Sequence, residues 1–172
     1  MTKEVVVLSA VRSAIGGFGG SLKDMEPGDL GGLVVKEAIA RAGLEGSQVT
    51  FATVGNCIPT EARYAYISRL ATIQGGMSMD STVFNVNRLC GSAMQAIVSS
   101  AQAIMLGDAE FALGGGVEVM SRGGYLLPAL RSGARMGDAK AIDMMVSVLT
   151  DPFGVGHMGI TAENLATKWG IT

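Results

Sequence analysis

The chain has 172 residues, of which 48% are hydrophobic and 16% are charged, and its formal net charge at pH 7 is −2. This composition excludes an intrinsically disordered chain and provides no electrostatic attraction to nucleic acids or to an anionic membrane surface. No continuous apolar run approaches the ~18 residues that a transmembrane helix needs. We therefore expect a cytoplasmic, globular protein that binds neither nucleic acid nor membrane.

The candidates for metal or thiol chemistry are two cysteines, Cys57 and Cys90, and one histidine, His157. They fall in different predicted elements, with no C-x-x-C spacing and no histidine cluster, so we expect no metal site. The sequence leaves a disulfide between the cysteines open, but two reduced thiols are the usual state in a cytoplasmic protein.

The first 75 residues predict an alternation of strands and helices. Residues 4–11 form an almost continuous apolar run, typical of a strand that is covered on both faces. The glycines of residues 12–22 lack the G-x-G-x-x-G spacing of a dinucleotide-binding turn, and no Walker A lysine follows, so we expect a structured loop. Asp29 can cap a helix that ends at Gly43 and whose predicted inner face carries Leu30, Leu33, Val34 and Ile39. A strand over residues 51–58 and a helix over residues 61–75 follow.

A central strand–helix unit spans residues 83–107. Residues 81–86 read as a short strand, and the apolar spacing after it predicts a helix that carries Cys90 in its first turn and ends at Gly107. The other faces of this helix hold only Ala, Ser, Gln and Met, so we expect it to be buried. Residues 111–114 predict a fourth strand, which runs into the triple glycine of residues 114–116.

This alternation predicts an α/β fold with a mostly parallel sheet and helices on both faces. Active sites of such sheets lie at the carboxyl ends of the strands, which is where Cys90 is placed. A helix start favours the thiolate form of a cysteine, so Cys90 is a candidate nucleophile. The alternative is a small, buried hydrophobic residue. Glu118, beside the triple glycine, is expected to have a structural hydrogen-bonding role.

The character of the sequence changes after Ser121. Residues 123–156 contain scattered Met, Arg, Gly and Pro, with one predicted helix over residues 140–149. Thr161 is expected to cap a last helix over residues 162–169. We therefore expect a core formed by residues 1–120 and a separate excursion formed by residues 121–172.

The segment VNRLCGSAMQAI (residues 86–97) resembles the acyl-enzyme signature of the thiolases, the acetyl-CoA acetyltransferases and 3-ketoacyl-CoA thiolases. Further stretches resemble the same family in order along the chain: residues 5–24, 114–122, 135–145 and 151–166. The resemblance implies a thiolase-like layered α/β fold. Residues 1–120 would be the N-terminal core without its last strand, and residues 121–172 the start of the inserted loop domain. The chain is then expected to be part of a longer protein.

The resemblance also implies a reaction, in which acetyl-CoA and an acyl-CoA give a 3-ketoacyl-CoA and CoA, or the reverse. Cys90 would attack a thioester and become an acyl-cysteine. His157 and Met158 would lie near the pantetheine arm and the acyl group, and Leu149 would flank bound CoA. CoA enters as part of the substrate, so no separate cofactor is expected. In the family the activating histidine and the second, proton-transferring cysteine lie in the other half of the protein, so these 172 residues alone are expected to be inactive.

The sequence leaves two other functions open. The first is a Cys–His thiol hydrolase, in which His157 would be the general base. Alternatively, His157 has only a packing role. The chain could also be a non-catalytic interaction module that keeps a thiolase-like scaffold. A homodimer or homotetramer is expected for either a thiolase or an interaction module, since an isolated half-core would expose apolar surface.

Overall fold

A computed structural model describes residues 4–172 of the chain. The chain divides into two compact units, and the division falls between Arg122 and Gly123. The first unit contains the sheet and three α-helices, and the second contains a short hairpin and two α-helices.

The first unit is built on a parallel sheet, as the sequence predicts, but the sheet has three of the four predicted strands. Its strands are β1 (Val49–Gly55), β2 (Thr82–Val86) and β3 (Phe111–Gly116), in the spatial order β2-β1-β3. Central strand β1 is bonded in parallel to both neighbours, with one irregularity of register towards β3 between Val49 and Phe51. All three strands therefore end at the same edge of the sheet.

Helices cover both faces of this sheet, which confirms the predicted α/β class. Helices α1 (Pro27–Arg41) and α2 (Ile67–Gln74) pack on the face that carries Ala52 and Val54 of β1. Helix α3 (Ser92–Leu106) lies on the opposite face, against Gly55 of β1 and against β3. Of the predicted helix over residues 61–75, only the second half is α-helical, because Ala62–Tyr66 forms a 3-10 helix.

Glycines of the sheet let α3 approach closely. A Cβ atom built on Gly55 would lie 2.6 Å from the carbonyl carbon of Ser92, and one on Gly114 would lie 2.6 Å from the Cα atom of Ile97. Small residues of α3 face the sheet in return, and Ala96 and Ser100 are both buried. Part of the unusual glycine content is thus explained by this single helix–sheet contact.

The prediction that α3 is buried on all sides is wrong for this chain. Met94 is 66% exposed and Leu106 is 79% exposed, because only the small residues face the sheet. By length and composition alone, one stretch of the described residues, Leu89–Leu106, could cross a membrane, with a mean hydropathy of 1.4. The core helix of a soluble protein passes the same test, so this finding is weak evidence for a membrane span.

Helix α1 differs from its prediction in its cap and in its inner face. Its N-cap is Glu26, followed by Pro27 at the first helical position, where the missing N–H costs nothing. Asp29 lies inside the first turn. Of the predicted inner face, Ile39 is buried and Leu30 packs against the core, but Leu33 is 61% exposed. Glycines lie on the side that faces α2 instead: a Cβ atom on Gly31 would lie only 2.9 Å from the Cβ atom of Ala71.

The predicted first strand is not formed. Residues 4–17 adopt no regular secondary structure, because no neighbouring strand pairs with them among the described residues. The segment instead lies along α1, where the hydroxyl of Ser9 donates a hydrogen bond to the carbonyl of Ala38 at 2.7 Å. Its apolar side chains are largely exposed, including Val7 at 81% and Ile15 at 88%.

The second unit contains the antiparallel pair β4 (Tyr125–Leu126) and β5 (Ile142–Asp143), followed by α4 (Met144–Val148) and α5 (Met158–Trp169). Helix α4 is shorter than predicted because Asp143 caps it, accepting from the N–H of Met145 at 2.8 Å. Helix α5 begins four residues before the predicted start, at Met158, and its cap is His157 instead of Thr161. No side chain of residues 123–172 is buried.

Candidate active site

The carboxyl edge of the sheet gathers three groups that the sequence keeps far apart. Cys57 follows β1, the turn with Cys90 follows β2, and Glu118 follows β3. Since all three strands are parallel, their carboxyl ends meet, and this edge is where α/β proteins commonly bind ligands. The predicted placement of Cys90 at this edge is therefore confirmed.

Cys90 lies in a tight turn between β2 and α3. The N-cap of α3 is Gly91 and the helix begins at Ser92, so Cys90 precedes the helix and is not in its first turn as predicted. Its side chain is exposed, which contradicts the alternative of a buried, hydrophobic cysteine. The N–H groups of the first helical turn are nevertheless close to the turn that carries the thiol.

Leu89, immediately before Cys90, is the single non-glycine residue with a positive φ among those described, at 50°. The turn is closed by the N–H of Gly91, which donates to the carbonyl of Arg88 at 3.1 Å. The side chain of Asn87 accepts from the N–H of Leu89 at 2.9 Å. This turn presents Cys90 at the surface of the unit in a conformation that leucine rarely adopts.

Two side chains, Ser92 at the start of α3 and Cys57 in the loop after β1, hold this turn by hydrogen bonds. The hydroxyl of Ser92 accepts from the N–H of Arg88 at 2.8 Å and donates to the carbonyl of Leu89 at 2.6 Å. The thiol of Cys57 donates to the same carbonyl at 3.0 Å. Asn87 in turn donates to the carbonyl of Cys57 at 3.2 Å. The loop after β1 and the turn after β2 are thus joined by two hydrogen bonds of Cys57, one from its thiol and one to its backbone carbonyl.

Glu118 anchors the loop that carries Cys57. Its carboxylate accepts from the N–H of Cys57 at 2.7 Å, from the N–H of Ile58 at 3.2 Å and from the side-chain amide of Asn56 at 2.8 Å. Burial raises the pKa of the Glu118 carboxyl above its ordinary value, and these hydrogen bonds counteract that effect in part. The predicted structural role of Glu118 is confirmed by this arrangement.

The sequence does not predict the contact between Cys57 and the turn of Cys90. Thirty-three positions separate the two cysteines, and no motif links them. Burial raises the pKa of the Cys57 thiol, so it keeps its proton at neutral pH and acts as a hydrogen-bond donor. The predicted strand over residues 51–58 even includes Cys57, whereas β1 ends at Gly55 and leaves Cys57 in the loop that follows.

The other three predicted site residues lie in the second unit, where the structure brings them together. The N–H of Met158 donates to the carbonyl of Leu149 at 2.8 Å, so the loop between α4 and α5 closes on itself. His157 pairs with Thr150 across this loop, and its Nδ1 accepts from the N–H of Gly159 at 3.0 Å. Met158 is 51% exposed. Leu149, His157 and Met158 thus form one local structure at the start of α5.

Within residues 4–172, no group of three or more His, Cys, Asp or Glu side chains is arranged to hold a metal ion. The chemistry that the first unit offers is that of an exposed thiol on a rigid turn, with helix-start N–H groups nearby.

Comparison with known proteins gives a consistent result. The family described as "Thiolase, N-terminal domain" matches residues 5–172. The chain is 56% identical over 172 residues to the beta-ketothiolase BktB of Cupriavidus necator, covering all of this chain and 44% of that protein. It is 43% identical to an acetyl-CoA acetyltransferase of the same organism, over 98% of the chain and 43% of that protein.

Solved structures agree with the sequence matches. The crystal structure of the Bacillus anthracis acetyl-CoA acetyltransferase superposes with a TM-score of 0.91 at 40% identity, covering 99% of this chain and 43% of that one. Human mitochondrial 3-ketoacyl-CoA thiolase in complex with CoA superposes with a TM-score of 0.89 at 34% identity, covering 96% and 42%. The chain spans less than half the length of these relatives. It belongs to the thiolase family, whose N-terminal domain it matches over residues 5–172.

Proposed function

We propose that the protein containing this chain is an acyltransferase that forms or cleaves a carbon–carbon bond between acyl-CoA thioesters, by way of an acyl-cysteine on Cys90. The observation that carries the proposal is the position of Cys90: an exposed thiol on the turn between β2 and α3, at the carboxyl edge of a parallel sheet. Family membership and the names of the relatives, acetyl-CoA acetyltransferase and beta-ketothiolase, support the same chemistry.

In the first half-reaction the Cys90 thiolate attacks the thioester carbon of an acyl-CoA. A carbon–sulfur bond forms and the carbonyl electron pair moves to oxygen, giving an oxyanion. When the carbonyl reforms, the bond to the CoA sulfur breaks, and the CoA thiolate takes up the proton that left Cys90. Covalent catalysis divides one difficult acyl transfer into two easier steps.

In the second half-reaction an acetyl-CoA that has lost a proton from its methyl group attacks the acyl-cysteine. A carbon–carbon bond forms, the bond to the Cys90 sulfur breaks, and the thiolate returns. The reverse sequence cleaves a 3-ketoacyl-CoA with CoA. We expect the groups that transfer the protons of this step in the half of thiolase proteins that this chain does not cover. We therefore propose that the 172 residues alone do not complete the reaction.

For substrate binding we propose that His157 and Met158 contact the pantetheine arm and acyl group, and that Leu149 flanks CoA. The support is the resemblance of their segments to the family, together with their grouping in one closed loop before α5. CoA enters as part of the substrate, so the proposal includes no separate cofactor. Residues 121–172 would then begin the loop domain that the family inserts into its N-terminal half.

We further propose a cytoplasmic homodimer or homotetramer. Several apolar side chains that a lone unit would leave in water support this assembly: Phe84 on edge strand β2 is 42% exposed, and Met94 and Ile97 on α3 are 66% and 46% exposed. Large exposed apolar patches mark positions that another protein surface covers, and we infer that these side chains belong to one.

The test is acid-quenched acetylation of the full-length protein. Incubation with acetyl-CoA should add one acetyl group to the peptide that contains Cys90, and the Cys90→Ser variant should abolish this thioester. Labelling of Cys57 instead would contradict the assignment of the nucleophile. Steady release of CoA without an acyl acceptor would favour the Cys–His hydrolase. Failure of the full-length protein to become labelled would favour the interaction module.

A further inference from the structure

The carbonyl of Leu89, one bond from Cys90, accepts three hydrogen bonds. The donors are the N–H of Ser92 at 3.0 Å, the hydroxyl of Ser92 at 2.6 Å and the thiol of Cys57 at 3.0 Å. The first is an ordinary turn bond, but the other two come from side chains. Ser92 is buried, with 4% exposed, and the backbone of Cys57 is held by Glu118 at 2.7 Å. Both side-chain donors therefore have little freedom to move.

A fixed Leu89 carbonyl also fixes the N–H of Cys90. The two groups belong to the same peptide unit, which is planar, and in a trans peptide they point in opposite directions. None of the peptide bonds in residues 4–172 is cis. With the carbonyl held inward by Ser92 and Cys57, the N–H of Cys90 is directed away from both donors.

We propose that Ser92 and Cys57 are positioning residues that aim the Cys90 N–H at the oxyanion formed when a thioester is attacked. This inference rests on the proposed function and deepens it. Its chemical content is that the N–H donates to the new oxyanion while the carbon–sulfur bond to Cys90 forms. Preorganised donors of this kind act at the moment that charge develops and need no reorganisation.

Two properties of Cys57 suit it to this role. Burial keeps its thiol protonated at neutral pH, so the S–H remains available as a donor. Its backbone is tied to Glu118 through its N–H and to Asn87 through its carbonyl, at 2.7 Å and 3.2 Å. The thiol is therefore a fixed part of the turn instead of a second reactive group.

The experiment compares two reactions of Cys90 in the full-length protein. Acetylation by acetyl-CoA passes through an oxyanion, whereas alkylation by iodoacetamide displaces iodide at a saturated carbon and forms none. Both rates are measured by quenched-flow mass spectrometry of the Cys90 peptide, in the wild type and in Ser92→Ala, Cys57→Ala and Cys57→Ser. The matched control is Ser100→Ala, because Ser100 is also buried in α3 and donates to a backbone carbonyl, that of Leu113, at 2.7 Å.

Complete removal of one oxyanion donor costs about 10²–10³ in rate, and losing the aim of a retained donor costs part of that. We expect Ser92→Ala to acetylate about 10- to 100-fold more slowly than Ser100→Ala, with alkylation changed by less than about twofold. Cys57→Ala should lose less, about 3- to 10-fold, because a thiol is the weaker donor. Cys57→Ser restores a donor and should recover most of the rate.

Equal losses of acetylation and alkylation would overturn the proposal, because Ser92 and Cys57 would then place the thiol and not the N–H. Acetylation no slower than in Ser100→Ala would overturn it as well. If Ser92→Ala fails to fold, the comparison of Cys57→Ala with Cys57→Ser gives the same decision. Failure of the wild type to acetylate at all would be a different result, since it would refute the proposed function itself.

Discussion

The close approach of α3 to the sheet predicts that alanine substitutions at two adjacent glycines of β3 change stability very differently. A Cβ atom on Gly114 would lie 2.6 Å from the Cα atom of Ile97 and 2.8 Å from the carbonyl oxygen of Ala96. A Cβ atom on Gly115, which points to the other face, would have nothing within 4 Å. The substitutions Gly114→Ala and Gly115→Ala thus add the same methyl group to the same strand in opposite surroundings.

The magnitude follows from these distances. Ordinary contact begins near 3.4 Å, so a Cβ at 2.6 Å requires α3 and β3 to separate by about 0.8 Å, and the atoms in the way belong to the backbone. Overpacking of this kind costs about 1–3 kcal/mol. Gly115→Ala should be neutral or should stabilise by about 0.4–1 kcal/mol, because alanine lowers the entropy of the unfolded chain.

Urea denaturation followed by far-UV circular dichroism measures the difference. Gly114→Ala should lower the midpoint relative to Gly115→Ala by an amount equivalent to about 1–4 kcal/mol, with an unchanged m-value. Equal midpoints for the two variants would refute the claim that the glycines exist to admit α3. Equal midpoints would mean that α3 and the sheet accommodate an added methyl group at little cost in free energy.

Two further predictions concern Glu118 and His157. Because the pKa of Glu118 is raised in the folded state, the native protein binds more protons than the unfolded chain just above pH 4.5. The contribution of Glu118 to stability therefore falls as pH rises through its folded pKa. In Glu118→Gln this contribution should vanish from the pH dependence of the urea midpoint, and an unchanged pH dependence would contradict the raised pKa. His157→Ala should remove the cap of α5 and cost about 0.5–2 kcal/mol of local stability. Hydrogen exchange of the α5 amides measures this loss, and His157→Asn is the control because it should retain the cap. Equal protection in the Ala and Asn variants would show that the hydrogen bond from the N–H of Gly159 to Nδ1 of His157 contributes nothing.

The strand–helix unit around Cys90 was the part of the fold that the sequence predicted best. Residues 81–86 and the helix ending at Gly107 were found because a short apolar run, a helical spacing and a C-terminal glycine all agree, and Gly107 indeed adopts a φ of 89°. The sequence places Cys90 in the first turn of this helix, but the helix begins at Ser92, and its N-cap, Gly91, has no side chain that could mark the start.

Other errors have specific physical causes. Hydrophobicity places Leu33 on the inner face of α1 beside Ile39, but Gly31 allows α2 to pack closer than a leucine would permit. The strand over residues 4–11 was predicted from composition alone, and a strand needs a neighbour that composition does not reveal. The start of α5 was missed since His157 is an uncommon cap compared with Thr161.

The hydrogen bonds within the candidate site could not be read from the sequence. They depend on how three parallel strands place their ends, which brings Cys57, Cys90 and Glu118 to one edge. Sequence spacing identified Cys90, since the residue follows a strand and precedes a helix. The donor role of Cys57 depends on the three-dimensional fold, because its partner is a backbone carbonyl that carries no sequence signal.

The left-handed backbone at Leu89 has a consequence for how this protein tolerates change. A leucine held at a φ of 50° costs about 1–3 kcal/mol compared with a residue that accepts this conformation readily. Leu89→Gly or Leu89→Asn would relieve that cost, so screening for thermostability should favour such variants. The glycine, however, would also give the peptide before Cys90 more freedom of rotation. Stability and a firmly held turn are therefore opposed at this one position, and a chain selected only for robustness would drift towards a looser support for Cys90.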